Sequence, residues 1–140
     1  MTIYLESSFV LAYFLDEPQK PLMSIIKGGK PGVASVLTLM EVNRGLHRAE
    51  NAKEIKPAER GKLSAMLMEM SSDWNLMEIT PEVQRRTAET FPIEPVRTLD
   101  AIHLATALEF IKVYPDLSFA TLDKRVIQNL GPLGIPQVKQ

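Results

Sequence analysis

"TIYLESSFVLAYFL", residues Thr2–Leu15, is the stretch on which the fold turns. Thr2–Leu5 reads as a short apolar strand. Ser7–Leu15 reads as an apolar helix, stopped by the break "DEPQKP" at Asp16–Pro21. Glu6 stands at the junction, followed by two serines. A strand that passes directly into a helix, with a carboxylate at the hinge, sets the pattern to look for further along.

That pattern recurs. Pro21–Lys27 reads as a short helix ended by Gly28 and Gly29, and "PGVASVLT" (Pro31–Thr38) as a turn and a buried strand. Thr38–Ala52 and Pro57–Ser71 are predicted helices, the second with Leu63, Met66, Leu67 and Met70 at helical spacing. Trp74–Thr80 is a predicted strand, Thr80–Glu89 a helix, and "FPIEP" (Phe91–Pro95) a rigid connector. Thr98–Val113 is a long helix, Leu117–Leu122 a strand, the run to Leu130 a helix, and Ile135–Val138 a short edge strand. Strands separated by helices imply right-handed crossovers. The expected fold is therefore α/β, with a central parallel sheet between two helical layers, as one domain over residues 1–140. Ligands in such folds lie beyond the carboxyl ends of the strands.

Composition narrows the chemistry. The 140 residues include no cysteine, which excludes disulfides, thiolate zinc sites and a cysteine nucleophile and fits a reducing, cytoplasmic setting. No apolar run approaches the ~20 residues needed to span a bilayer, and no secretory signal is expected at the N-terminus. Sixteen basic residues oppose seventeen acidic ones, a net charge of −1. A protein that coats nucleic acid without specificity would be more basic. A nucleic-acid enzyme remains compatible, since a metal and a local basic rim supply attraction.

Acids stand where the fold places ligands. Glu6 follows the first strand, Glu41 lies three residues past Thr38, Asp123 follows the last strand, and Asp100 opens the long helix. Each also has a plain reading as a helix-start residue. "TLME" (Thr38–Glu41) fits a capping box, and "TLDA" (Thr98–Ala101) and "TLDK" (Thr121–Lys124) fit a threonine cap with aspartate at the second helical position. "TPEV" (Thr80–Val83) has the same grammar and no assigned chemistry. Capping, however, does not require the acids to gather at one sheet edge. Carboxylates gathered there repel one another, and a cation removes that cost. Oxygen ligands without thiolates favour Mg²⁺ or Mn²⁺, which suit phosphoryl chemistry.

At these residues the chain resembles the PIN-domain family and, within it, the VapC-type toxin ribonucleases. "RTLDAIHLATAL" (Arg97–Leu108) carries the resemblance most specifically, with "SVLTLMEVNRGLHR" (Ser35–Arg48), "FATLDKRV" (Phe119–Val126) and "IYLESSFVLAYFLDE" (Ile3–Glu17) in the matching order. The resemblance implies a three-layer α/β/α sandwich. It implies a metal-dependent endoribonuclease that leaves a 5′-phosphate and a 3′-hydroxyl, acting as a homodimer with a cognate antitoxin that covers the acidic groove. Glu6, Glu41, Asp100 and Asp123 would be the metal-binding and catalytic acids, with Ser8 and Thr121 as accessory polar groups. The first acid of the family is nearly always aspartate. Glu6 is one methylene longer, a displacement of about 1.5 Å in a constellation that tolerates ~0.5 Å. A second expectation follows, an attenuated scaffold that binds RNA or a protein partner without efficient cleavage.

Other residues have competing readings. Arg97 holds Asp100, contacts a phosphate, or is a surface arginine. His103 reads foremost as a core histidine bonded to a carbonyl or carboxylate. Arg44, His47 and Arg48 suit a helix C-terminus or face RNA. Met66, Met68, Met70 and Met77 read as core or interface filling, and Tyr4, Tyr13 and Phe14 as packing. A receiver-like phosphoacceptor domain fits poorly, because two consecutive helices interrupt its strand–helix alternation and the first strand lacks a pair of adjacent acids.

Overall fold

The structure, a computed structural model, describes residues 1–15 and 32–139. The predicted break at Asp16–Pro21, the helix at Pro21–Lys27 and its Gly28–Gly29 stop lie outside these residues. The elements are β1 (Ile3–Leu5), α1 (Ser7–Leu15), β2 (Gly32–Ser35), α2 (Val36–Asn51), α3 (Pro57–Ser71), β3 (Asn75–Met77), α4 (Pro81–Thr87), α5 (Thr98–Ile111), β4 (Ser118–Ala120) and α6 (Lys124–Leu130).

The strands form one sheet in the order β3-β2-β1-β4, and every pair is parallel. Alternation along β1 divides the core. Ile3 and Leu5 face one side and pack with Phe9 and Val10 of α1, Val42 and Leu46 of α2 and Leu67 of α3. Tyr4 faces the other side with Leu104 and Phe110 of α5 and Val126 and Leu130 of α6. Helices therefore cover both faces, giving the three-layer α/β/α sandwich. Because all strands point one way, Glu6, Ser35 and Thr121 share one edge of the sheet. No helix among the described residues is long and apolar enough to cross a membrane.

Leu11 of α1 packs over a glycine of α2. A Cβ at Gly45 would lie 2.5 Å from Leu11 Cδ2, so the glycine leaves room for the Leu11 side chain in its present position between the two helices.

Several expectations need correction. Helix α2 begins at Val36, because Ser35 ends the pairing with β3 and caps the helix itself, accepting from the Leu37 amide at 3.0 Å. The predicted strand end and capping box at Thr38 are therefore wrong. Thr38 lies inside the first turn, and its buried hydroxyl donates to the Leu5 carbonyl at 2.9 Å. Thr98 is the first residue of α5 rather than its cap, and Asp123 rather than Thr121 caps α6. Thr80 caps α4 as its sequence predicts, accepting from the Val83 amide at 3.2 Å. Ile135–Val138 makes only a single parallel bridge to β4, at Gln137 opposite Phe119. Met66, Met70 and Met77 pack on the core, but Met68 is 76% exposed and fills none of it.

Candidate functional site

Glu6 immediately precedes α1, and its backbone carbonyl accepts from the amides of Phe9 and Val10. Its side chain folds back over the same turn. Oε2 accepts from the Ser8 amide at 3.0 Å, from the Ser8 hydroxyl and from the Thr121 hydroxyl at 2.8 Å, and Oε1 accepts from the Ser7 hydroxyl at 2.9 Å. A carboxylate reaching the amide two residues on acts as a helix cap. Glutamate's extra methylene is thus used to bend the carboxylate back onto α1 and across to the end of β4. At 4% exposure, Glu6 forms the floor of the site.

Glu41 lies one turn into α2, released from the capping role by the earlier helix start. Its Oε1 accepts from the Ser7 hydroxyl at 2.9 Å and from His103 Nε2 at 2.5 Å. Ser7 therefore stands between two carboxylates with one proton to share. His103 is 1% exposed, and its Nδ1 lies 2.7 Å from the Tyr4 hydroxyl. Burial pushes the Glu41 carboxyl up. The His103 hydrogen bond and charge, the Ser7 hydroxyl and the charge of Arg48 outweigh this, so it lies below the usual glutamate range. Burial also raises the Tyr4 hydroxyl well above an ordinary tyrosine.

Asp100 is the third residue of α5 and half-buried. Its carboxylate accepts no hydrogen bond from any described residue. Burial, then the charges of Asp123 and Glu6, raise its carboxyl above the usual aspartate range. Asp123 caps α6 through Oδ1, which accepts from the Arg125 amide at 2.9 Å, and its own amide donates to Thr121 at 3.0 Å.

Glu6, Glu41, Asp100 and Asp123 line one cleft of about 540 Å³, together with Ser7, Ser8, Arg44 and Arg48 and the apolar side chains of Leu11, Leu37, Met40 and Leu99. The four acids and Ser8 that the sequence singled out are thus brought together, and Thr121 binds Glu6 from below. Arg97 is not brought in. It is exposed, occupies the cap position of α5 without a side-chain cap bond, and does not line the cleft. His103 is a core histidine bonded to a carboxylate, as expected. Ser7 and the polar use of Tyr4 were missed. Ser7's adjacency to Glu6 was the available signal, whereas nothing local in the sequence pairs Tyr4 with a residue 99 positions away.

The donor set suits a hard divalent cation. Ligand atoms of Glu6, Glu41 and His103 all lie within 4.8 Å of one another. His103 Nε2 is committed to Glu41, which leaves oxygen as the donor type. Burial first, and then the charges of Asp123 and Glu6, raise the Asp100 carboxyl, and a cation in the cleft would offset the charge part of that cost.

A family model described as "PIN domain" matches residues 3–129. No curated protein sequence matches the chain. Among solved structures, a toxin-antitoxin complex from Klebsiella pneumoniae is similar, with a TM-score of 0.63 at 18% identity, covering 100% of this chain and 97% of that one. At that identity the likeness concerns the fold.

Proposed function

The chain belongs to the PIN domain family, and from that premise we propose that it is a divalent-metal-dependent endoribonuclease, the VapC-type toxin of a toxin–antitoxin pair. The observation that carries this reading is the convergence of Glu6, Glu41, Asp100 and Asp123 on one cleft. PIN domains are generally nucleases, which supports hydrolysis of a phosphodiester.

Mg²⁺ or Mn²⁺, when bound, lowers the pKa of a coordinated water and neutralises phosphate charge. The protein's part is to present oxygens to it. Asp100 offers a carboxylate free of hydrogen bonds to described residues. Glu41 and Asp123 each bond through one oxygen, Oε1 and Oδ1, and the other takes no hydrogen bond from a described residue. Glu6 contributes through Oε1, because Oε2 already takes three donors. Ser7 and His103 hold Glu41 in orientation, and Ser8 and Thr121 hold Glu6. Catalytic groups need such fixed supports to stay within ~0.5 Å of a productive geometry.

The similar structure is a toxin-antitoxin complex, which supports an antitoxin as partner for this chain. A homodimer and a cytoplasmic setting belong to the same reading. Purified protein with Mn²⁺ is expected to cleave RNA, and Asp100→Asn to abolish cleavage. Persistence of cleavage in excess EDTA would overturn the metal's role.

The saturation of Glu6 Oε2 favours one alternative, a scaffold with attenuated cleavage. Glu6→Asp separates the two. A large rise in cleavage identifies attenuation, and an already fully active wild type excludes it.

A further inference from the structure

We propose that Arg44 and Arg48 form a phosphate-binding ridge that carries the RNA strand away from the acidic cleft along α2. The inference rests on the nuclease reading above and adds where the rest of the substrate lies.

Glu41, Arg44 and Arg48 fall at spacings of three and four, on one face of α2. Along the helix axis Arg44 and Arg48 stand about 4.5 and 10.5 Å beyond Glu41. Both are exposed, and His47 is exposed beside them. Arg44 and Arg48 line the acidic cleft, and the same two residues line a second cavity of about 350 Å³ with His47, Glu50 and Asn51. The two cavities are thus joined by a pair of guanidinium groups.

The charge of Arg48 helps to lower the Glu41 carboxyl, but no described acid approaches either guanidinium closely enough to pair with it. Neither side chain forms an ion pair or hydrogen bond with a described residue. Glu50, the acid in the second cavity, is taken by Arg60, whose Nε lies 2.6 Å from its Oε1. Exposed guanidinium forks that form no close ion pair with a described carboxylate match phosphate oxygens. The chain as a whole carries a net charge of −1, so attraction for a polyanion has to be local. Beside carboxylates that would repel RNA, the ridge supplies it, and its continuity with the cleft selects a strand whose reacting phosphate lies at the acids.

The test is fluorescence anisotropy with a labelled single-stranded RNA of about ten nucleotides, on the full chain, in EDTA so that cleavage is silent. Each single-strand phosphate contact contributes about 0.7 to the slope of log K against log salt. Arg44→Gln with Arg48→Gln is expected to reduce the slope by about 1.4 and to weaken binding about tenfold near 0.15 M salt. Arg85→Gln, at a cation 72% exposed on α4, is the control and leaves the slope unchanged. Circular dichroism and melting of the double variant should match wild type, since both residues are exposed.

A slope equal to wild type overturns the ridge while leaving the nuclease reading intact, provided wild type cleaves RNA with Mn²⁺. Failure of wild type both to bind and to cleave overturns both. If poly-glutamate binding depends on Arg44 and Arg48 while the RNA slope does not, the surface serves an acidic protein partner and the RNA ridge is wrong.

Discussion

His103 holds Glu41 from inside the protein, with Nε2 2.5 Å from Glu41 Oε1 across the interface between α5 and α2. An ionised carboxylate only accepts, so Nε2 carries the proton and Nδ1 is turned to the Tyr4 hydroxyl at 2.7 Å. A single buried ring thus links the middle of β1 to a proposed metal-binding acid. Truncating it opens a cavity and strands polar groups on both sides. His103→Ala is expected to cost at least about 2 kcal/mol in urea unfolding, and Tyr4→Phe about 1 kcal/mol or more. Both should also weaken Mn²⁺ binding measured by calorimetry. Wild-type stability in His103→Ala would show that the link carries little.

Two acids of one cleft should respond oppositely to neutralisation. Asp100 has a raised folded-state pKa, from burial first and then from Asp123 and Glu6. Its relative contribution to stability is full below the unfolded value, about 3.9, and is lost as pH rises through the raised folded value. Glu41 is lowered, because the His103 and Ser7 bonds and the charge of Arg48 outweigh burial. Its contribution is present above the unfolded value, about 4.3, and is lost as pH falls through the depressed folded one. At pH 7 without metal, Asp100→Asn should raise the melting temperature and Glu41→Gln should lower it. Shifts of the same sign would contradict the electrostatic picture.

Cation binding should reverse the first of these effects. At 100 times its dissociation constant, Mn²⁺ stabilises a protein that binds it only when folded by about 2.7 kcal/mol. Thermal scans should register that rise for wild type and lose most of it for Asp100→Asn. A melting temperature indifferent to Mn²⁺ would mean the carboxylates do not act together.

Thr80 and Thr121 offer a matched comparison. Thr80 caps α4 away from the cleft, so Thr80→Ala should cost about 1 kcal/mol and leave RNA cleavage unchanged. Thr121 donates to Glu6 at 2.8 Å, so Thr121→Ala should cost a similar amount and also reduce cleavage. Equal activity in the two variants would remove Thr121 from the site.

The layering of the fold could be read because strand and helix alternate with short apolar runs, and β1 declares itself within the first residues. Glu6, Asp100 and Asp123 stood out because each follows a strand or opens a helix, and a parallel sheet collects such positions; Glu41 was singled out on a helix start placed two residues too late and lies one turn further into α2. Helix starts were less legible. Ser35, Thr38, Thr98, Thr121 and Asp123 are all competent caps by type, and side-chain type alone does not choose among them: Ser35 is fixed where its pairing with β3 ends, whereas Asp123 caps α6 three residues past the end of β4. Ser7, shared between Glu6 and Glu41, and Tyr4, joined to His103, depend on contacts between distant segments. No local pattern encodes those.

Glu6 gives the first turn of α1 and the floor of the cleft a common fate. Its Oε2 receives the Ser8 amide directly, so fraying of that turn strips the carboxylate of its α1 donors and leaves it held by Thr121 alone. Exchange of the Ser8 amide proton with solvent therefore reports, without any substrate, how often the floor of the cleft loosens at its α1 side.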